Sequence, residues 1–141
     1  MSASGVAVDH RHHRRPGTGK TTTVAGLLVA LHEQFEARGE TLRVALTAPT
    51  GKAAARLQES ITTADLSEPD RARLAGVEAM TIHRLLKVDP SNSTRFRHHR
   101  ANRLPHDVVV VDESSMVSLT LMARLLEAVR GDARLVLVGD P

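Results

Sequence analysis

Two clusters in this chain have residue types and spacings that suit phosphate chemistry. The first is Pro16-Gly17-Thr18-Gly19-Lys20-Thr21-Thr22, which reads as the second half of a phosphate-binding loop, G-x-x-x-x-G-K-[ST]. Gly17 and Gly19 let the backbone turn tightly and aim successive N–H groups at an anion. Lys20 would set an ammonium on the β- and γ-phosphates of a nucleotide, and Thr21 a hydroxyl on Mg²⁺. A helix starting near Lys20 adds the positive end of its dipole. The second cluster is Asp112-Glu113, directly after Val108-Val109-Val110-Val111. Both carboxylates would emerge at the carboxyl edge of a buried parallel strand, where ligands gather in open α/β sheets. Asp112 would hold Mg²⁺ through water and Glu113 would polarise an attacking water. Taken singly, each cluster has a plainer reading: a glycine turn before a helix, or solvated acids at a strand end. Taken together they are the signature of an ATPase.

The loop departs from its pattern at one end. Arg14 stands where the first glycine belongs, and Arg15 follows it. The run Asp9-His10-Arg11-His12-His13-Arg14-Arg15 also occupies the place where an apolar strand should enter the loop. One permitted codon choice for this run, moved by a single nucleotide, encodes Thr-Ile-Val-Ile-Thr-Gly-Gly, a strand followed by the two missing glycines. Residues 1–15 therefore read as an atypical segment whose coding frame has slipped, with the frame restored at Pro16. A histidine-rich metal tract at His10, His12 and His13 is the competing reading.

Weaker signals lie between the two clusters. Thr47-Ala48-Pro49-Thr50-Gly51-Lys52-Ala53-Ala54 mimics the tail of a phosphate loop, but Ala53 occupies the position that needs a hydroxyl. A helix start at Thr50 with Lys52 nearby can instead hold a nucleic-acid phosphate, against the plainer reading of an ordinary βα turn. His83 is a lone histidine, either structural or strand-contacting. Arg95, Arg97 and Arg100 form a basic stretch able to meet a phosphate backbone, against the plainer reading of a solvated charged loop.

These residues need elements to position them. Apolar Val24, Leu27, Leu28, Leu31 and Phe35 recur at helical spacing, so the sequence predicts a helix over 20–38 that stops at Arg38-Gly39. Residues 42–47 read as a short strand, and a second helix opens near Pro49-Thr50 and runs to about Ser60. Ser67 caps a short helix ending near Leu74, and Thr81 caps another through Leu86. Residues 89–105 read as an exposed basic loop. Strand 108–111 follows, then a helix over 118–130 carrying Leu121, Leu125, Leu126 and Val129 on one face, then a strand over 134–140. Alternating strands and helices imply βαβ units and a parallel sheet.

Composition sets the outer bounds. At 141 residues, with 41% hydrophobic residues and 1% aromatic, there is room for one domain at most, with an aliphatic core. The charge of +3 fits a polyanionic partner without requiring one. No cysteine is present, so neither disulfides nor cysteine metal sites arise. No apolar run approaches a membrane span, and residues 1–15 lack the apolar region of a secretory signal.

The order of these motifs resembles superfamily 1 helicases. Pro-Gly-Thr-Gly-Lys-Thr-Thr-Thr, Ala-Pro-Thr-Gly-Lys-Ala-Ala, Thr81 to Leu86, Asp-Glu-Ser-Ser-Met and Gly139-Asp140-Pro141 are similar to motifs I, Ia, Ib, II and III of the RecD branch, which includes the alpha chain of exodeoxyribonuclease V. The resemblance covers 16–141. It implies a P-loop NTPase fold, a RecA-like parallel sheet flanked by helices, incomplete here and breaking off at motif III. It further implies a cytoplasmic motor that uses ATP and Mg²⁺ to walk 5′ to 3′ on single-stranded DNA in break repair and recombination, with beta and gamma chains as partners. Carried over residue by residue, Gly17, Thr18, Gly19, Lys20, Thr21 and Thr22 would bind nucleotide, and Thr21 and Asp112 the metal. Lys20, Asp112 and Glu113 would be catalytic. Thr47, Pro49, Thr50, Lys52 and His83 would face DNA. Asp140 would couple nucleotide state to DNA grip. Two rival readings stay open: a non-catalytic single-stranded DNA-binding module, and an unrelated P-loop phosphotransferase.

Overall fold

The computed structural model describes residues 6–9 and 19–139. The elements in chain order are β1 (Val6–Asp9), α1 (Gly19–Ala37), β2 (Val44–Ala48), α2 (Gly51–Thr62), α3 (Glu68–Arg73), β3 (Ala79–Thr81), α4 (Ile82–Leu86), β4 (Val88–Asp89), β5 (Asn92–Phe96), β6 (Val108–Val111), a 3₁₀ turn (Ser114–Met116), α5 (Leu119–Ala128) and β7 (Arg134–Val138).

Among the described residues, five strands form one sheet in the order β1-β7-β6-β2-β3, and every pairing in it is parallel. The chain crosses the sheet twice. From β1 to β2 to β3 it moves in one direction, and α1, α2 and α3 pack on the first face. From β3 to β6 to β7 it moves back, and α4 and α5 cover the second face. Right-handed crossovers demand that each change of direction change the face. The packing follows: Val24, Leu28 and Leu31 of α1 and Leu57 and Ile61 of α2 bury against Val108, Val110, Val136 and Val138. Leu85 and Leu86 of α4 and Leu125 and Ala128 of α5 bury against Ala45, Val109, Val111 and Leu135. Alternate valines of β6 thus serve opposite cores, which explains a strand with no polar face.

Helix ends follow the cap chemistry. Thr50, Ser67, Thr81 and Ser118 each accept a bond from the backbone N–H three residues on. Helix α1 closes with Gly39 at φ 72°, Gly39 N–H on Glu36 O at 2.9 Å and Glu40 N–H on Phe35 O at 2.8 Å. That double closure is the Schellman motif, and its positive φ is why a glycine follows Arg38.

Three expectations need correction. Residues 89–105 are not a plain loop: β4 and β5 pair as an antiparallel hairpin, with Val88 opposite Phe96. Leu126 does not share the buried face of α5; it is 50% exposed, whereas Leu125 is fully buried. The edge strand β3 escaped the sequence reading because its three residues are too few to show a period. It is pinned from outside by Gln58, whose Oε1 accepts from Ala79 N–H at 2.7 Å. At the N-terminus the described strand is Val6–Asp9; residues 10–18, where the sequence requires a strand running into the loop, lie outside the described residues.

Candidate nucleotide and DNA site

All five strands of the sheet are parallel, so their carboxyl ends share one edge. Helix α1 leaves the carboxyl end of β1 and returns to the amino end of β2, so its first turn lies over that edge. The backbone of Gly19, Lys20, Thr21 and Thr22 forms that first turn. Asp112 and Glu113 follow β6 onto the same edge, one strand away from β1 across β7. The glycine-loop helix and the acidic pair therefore address the same side of the sheet. Gly17, Thr18 and Asp140 lie outside the described residues.

Asp112 is 6% exposed. Its N–H continues the ladder onto Thr47 O at 2.8 Å, and its Oδ1 accepts from Glu113 N–H at 2.9 Å. That second bond turns the chain sharply: Glu113 sits at φ 53°, ψ 44°, a left-handed conformation that costs a non-glycine residue about 1–2 kcal/mol. The turn lifts the Glu113 carboxylate out of strand direction to a half-buried place at the edge. Arg56 Nη1 of α2 stands 3.9 Å from it, with Arg56 largely exposed. An ion pair that long and that wet adds little stability. It does link the helix behind Thr50 to the acid behind β6, and no spacing in the sequence announced it. The 3₁₀ turn beyond Glu113 leans on β7: a Cβ placed on Gly139 would come within 3.0 Å of Ser114 Oγ and 3.5 Å of Ser114 N. Glycine at 139 thus permits close approach of two motifs, a second relation absent from local sequence.

The DNA-facing candidates divide. Thr47 is a correction: it is fully buried, and its hydroxyl donates to Val110 O at 2.7 Å. Buried and bonded across to β6, it clamps strands together. Thr50 is exposed and caps α2, accepting from Ala53 N–H at 3.1 Å. Helix geometry leaves the N–H groups of Gly51 and Lys52 without intrahelical acceptors, and Lys52 is exposed beside them. Pro49 is half-buried at the head of this turn. His83 is exposed on α4 with its ring tilted against Phe96, 5.7 Å between centroids. Between α2 and the segment around β3 runs an open groove of about 530 Å³, lined in part by Gly51, Gln58, Met80, Thr81 and Arg84. Among the described residues no cluster of three or more His, Cys, Asp or Glu side chains is placed to hold a metal. His10, His12 and His13 lie outside them.

A family model described as an AAA domain matches residues 14–141. The chain belongs to the AAA-domain family. This AAA domain is 66% identical over 129 residues to a RecBCD enzyme subunit RecD of Mycolicibacterium smegmatis, covering 89% of this chain and 23% of the relative. It is 44% identical over 133 residues to a RecBCD enzyme subunit RecD of Haemophilus influenzae, again 89% of this chain and 20% of the relative. It is 42% identical over 125 residues to an ATP-dependent RecD2 DNA helicase of Deinococcus radiodurans, 89% of this chain and 14% of the relative. The chain thus spans less than a quarter of the length of these curated relatives. The resemblance to RecD-type chains holds, and so does the P-loop α/β fold with helices on both faces of a parallel sheet. Among the described residues no helix is long and apolar enough to cross a membrane.

Proposed function

We propose that this AAA domain is the ATP-binding part of a RecD-like motor, in which ATP hydrolysis drives 5′-to-3′ movement along single-stranded DNA during break repair and recombination. The observation that carries this reading is the shared carboxyl edge of α1 and Asp112-Glu113. Lys20 and Thr21 open the helix that would receive the phosphates, and Asp112 is anchored by two backbone bonds at the end of a fully buried strand. Mg²⁺ would be held by the Thr21 hydroxyl directly and by Asp112 through water; when bound, the ion would neutralise developing phosphate charge. Glu113, half-buried and turned off the strand axis, is the group fitted to take a proton from an attacking water. The helix start at Thr50, with Lys52 and the adjoining groove to Thr81 and Arg84, suits a DNA backbone along the same edge. The beta and gamma chains of exodeoxyribonuclease V are the corresponding partners, and the cytoplasm the corresponding compartment.

Arg14 and Arg15 weigh against strong nucleotide binding, because bulky side chains stand where backbone must approach phosphate. We therefore expect weak ATP binding and no strand separation by these 141 residues alone. Titration of a fluorescent ATP analogue with Mg²⁺ tests the reading in the Arg14→Gly/Arg15→Gly background. Lys20→Ala and Asp112→Asn should each abolish binding there. Binding untouched by both, or none in that background, would overturn the proposal. The same two arginines favour a second reading, a non-catalytic module that grips single-stranded DNA. Under it, DNA affinity is indifferent to ATP and falls steeply with salt.

A further inference from the structure

Residues 90–106 hold four arginines and three histidines and no acid. Most of its side chains are exposed, but the fold ties its backbone down. It becomes β5 and a return segment tied to the carboxyl end of α5. Leu104 N–H donates to Ala128 O at 2.7 Å, and the Arg103 guanidinium donates to Val129 O and to Arg100 O, both at 3.0 Å. Asn102 Nδ2 donates to Arg97 O at 2.9 Å, closing the turn.

Between this segment and α5 lies an open bowl of about 680 Å³, lined by Arg95, Phe96, His98, His99, Arg100 and Arg124, with Glu127 in its wall. Glu127 is shared: its carboxylate meets Arg100 Nη2 and Arg124 Nη1, each at 3.2 Å. One carboxylate between two guanidiniums leaves a positive excess. Arg95 adds a third guanidinium; Asp89 is near enough to attract it, yet three arginines against Asp89 and Glu127 keep the excess positive. The volume falls in the range of small-molecule sites, about 300–1,000 Å³. Guanidinium groups beside phenyl and imidazole faces are the combination that holds single strands without reading their sequence. An acidic peptide would use the charges and leave the rings idle. The bowl sits at the carboxyl half of α5, toward the amino edge of the sheet, away from Asp112 and Glu113.

We propose that this bowl is an accessory seat for single-stranded nucleic acid, with phosphates on Arg95, Arg100 and Arg124 and a base against Phe96 and His99. It rests on the DNA reading above for the class of strand; its arginines are not among the residues that reading uses, and Phe96 meets that set at His83.

Fluorescence anisotropy of a labelled oligothymidylate, titrated with the 141-residue chain at several salt concentrations, tests it. Three variants remove the same charge: Arg95→Gln and Arg124→Gln inside the bowl, and Arg97→Gln, which does not line it. Circular dichroism checks that each is folded. Losing a phosphate contact should raise Kd roughly five- to tenfold for the two bowl variants and flatten the salt slope by about 0.7. Arg97→Gln should stay within about twofold of the parent, as a charge away from the strand does. Equal loss in all three overturns the seat in favour of diffuse attraction. Polyglutamate displacing the oligonucleotide more effectively than unlabelled oligothymidylate overturns it in favour of an acidic protein partner. Lys52→Gln separates the two proposals: loss there alone leaves the edge reading standing and removes the bowl. Loss only in the bowl variants keeps the bowl and removes the DNA role of the edge. No binding by the parent chain overturns both.

Discussion

The hydroxyl of Thr47 donates to the carbonyl oxygen of Val110 at 2.7 Å, deep in the sheet. Two residues on, Asp112 N–H donates back to Thr47 O at 2.8 Å. The strand that ends in the Thr50 turn and the strand that ends in the acidic pair are thereby locked in register where both chains leave the sheet.

Thr47→Val should cost about 1 kcal/mol, the net worth of a buried hydrogen bond, in urea denaturation with an unchanged slope. DNA affinity should not move. A variant of parental stability with weakened DNA binding would restore Thr47 to the DNA-facing set.

Thr50→Ala removes the cap of α2 and should cost about 1 kcal/mol, whereas Thr50→Ser should be nearly neutral because serine accepts the same bond from Ala53 N–H. Thermal unfolding of the pair decides. If both substitutions cost the same, the hydroxyl is not acting as a cap.

Arg56→Ala should leave stability within about 0.5 kcal/mol, since its pairing with Glu113 is long and exposed. A larger loss in denaturant titration would mean that the 3.9 Å contact fixes the Glu113 turn.

Acid should destabilise the fold through His106. Burial, then the nearby Arg43 and His98, hold its imidazole below the ordinary histidine value, with only Asp107 among the main influences opposing them. Its Nδ1 is buried without a hydrogen-bond partner. His98 is lowered as well, by burial first. The unfolded chain takes up these protons as pH falls through about 6.5, and the folded chain resists. Stability is therefore full above that pH and declines below it. His106→Gln should shallow the decline between about pH 7 and 5. An unchanged acid limb would show that other groups set it.

Arg14→Gly/Arg15→Gly should strengthen ATP binding at least about tenfold by readmitting the backbone to the phosphates. Equal affinity in parent and variant would mean the arginines do no harm. The coding DNA offers an independent check: codons 9–15 should encode an apolar strand and two glycines in a neighbouring frame.

The chemistry was legible in local sequence because it depends on residue type at short spacing. Gly19-Lys20-Thr21 before a helical period, four valines before Asp112-Glu113, and hydroxyl caps at Thr50, Ser67, Thr81 and Ser118 are all local signals. They announced the parallel sheet and the helix starts within a residue or two. What they could not state is adjacency between distant segments. Strand order, the placing of β7 between β1 and β6, and the split of β6 valines between two cores arise from crossovers spanning dozens of residues. Thr47 looked available because its motif is polar; only the tertiary fold buries it and turns its hydroxyl onto Val110 O. The basic run at 95–100 looked like a solvated loop because charge density is a one-dimensional property. It became a walled bowl only when α5, some two dozen residues later in the chain, supplied Arg124 and Glu127. Residue identity determines which atoms can act; burial and juxtaposition, decided by long-range packing, determine which of them can be reached.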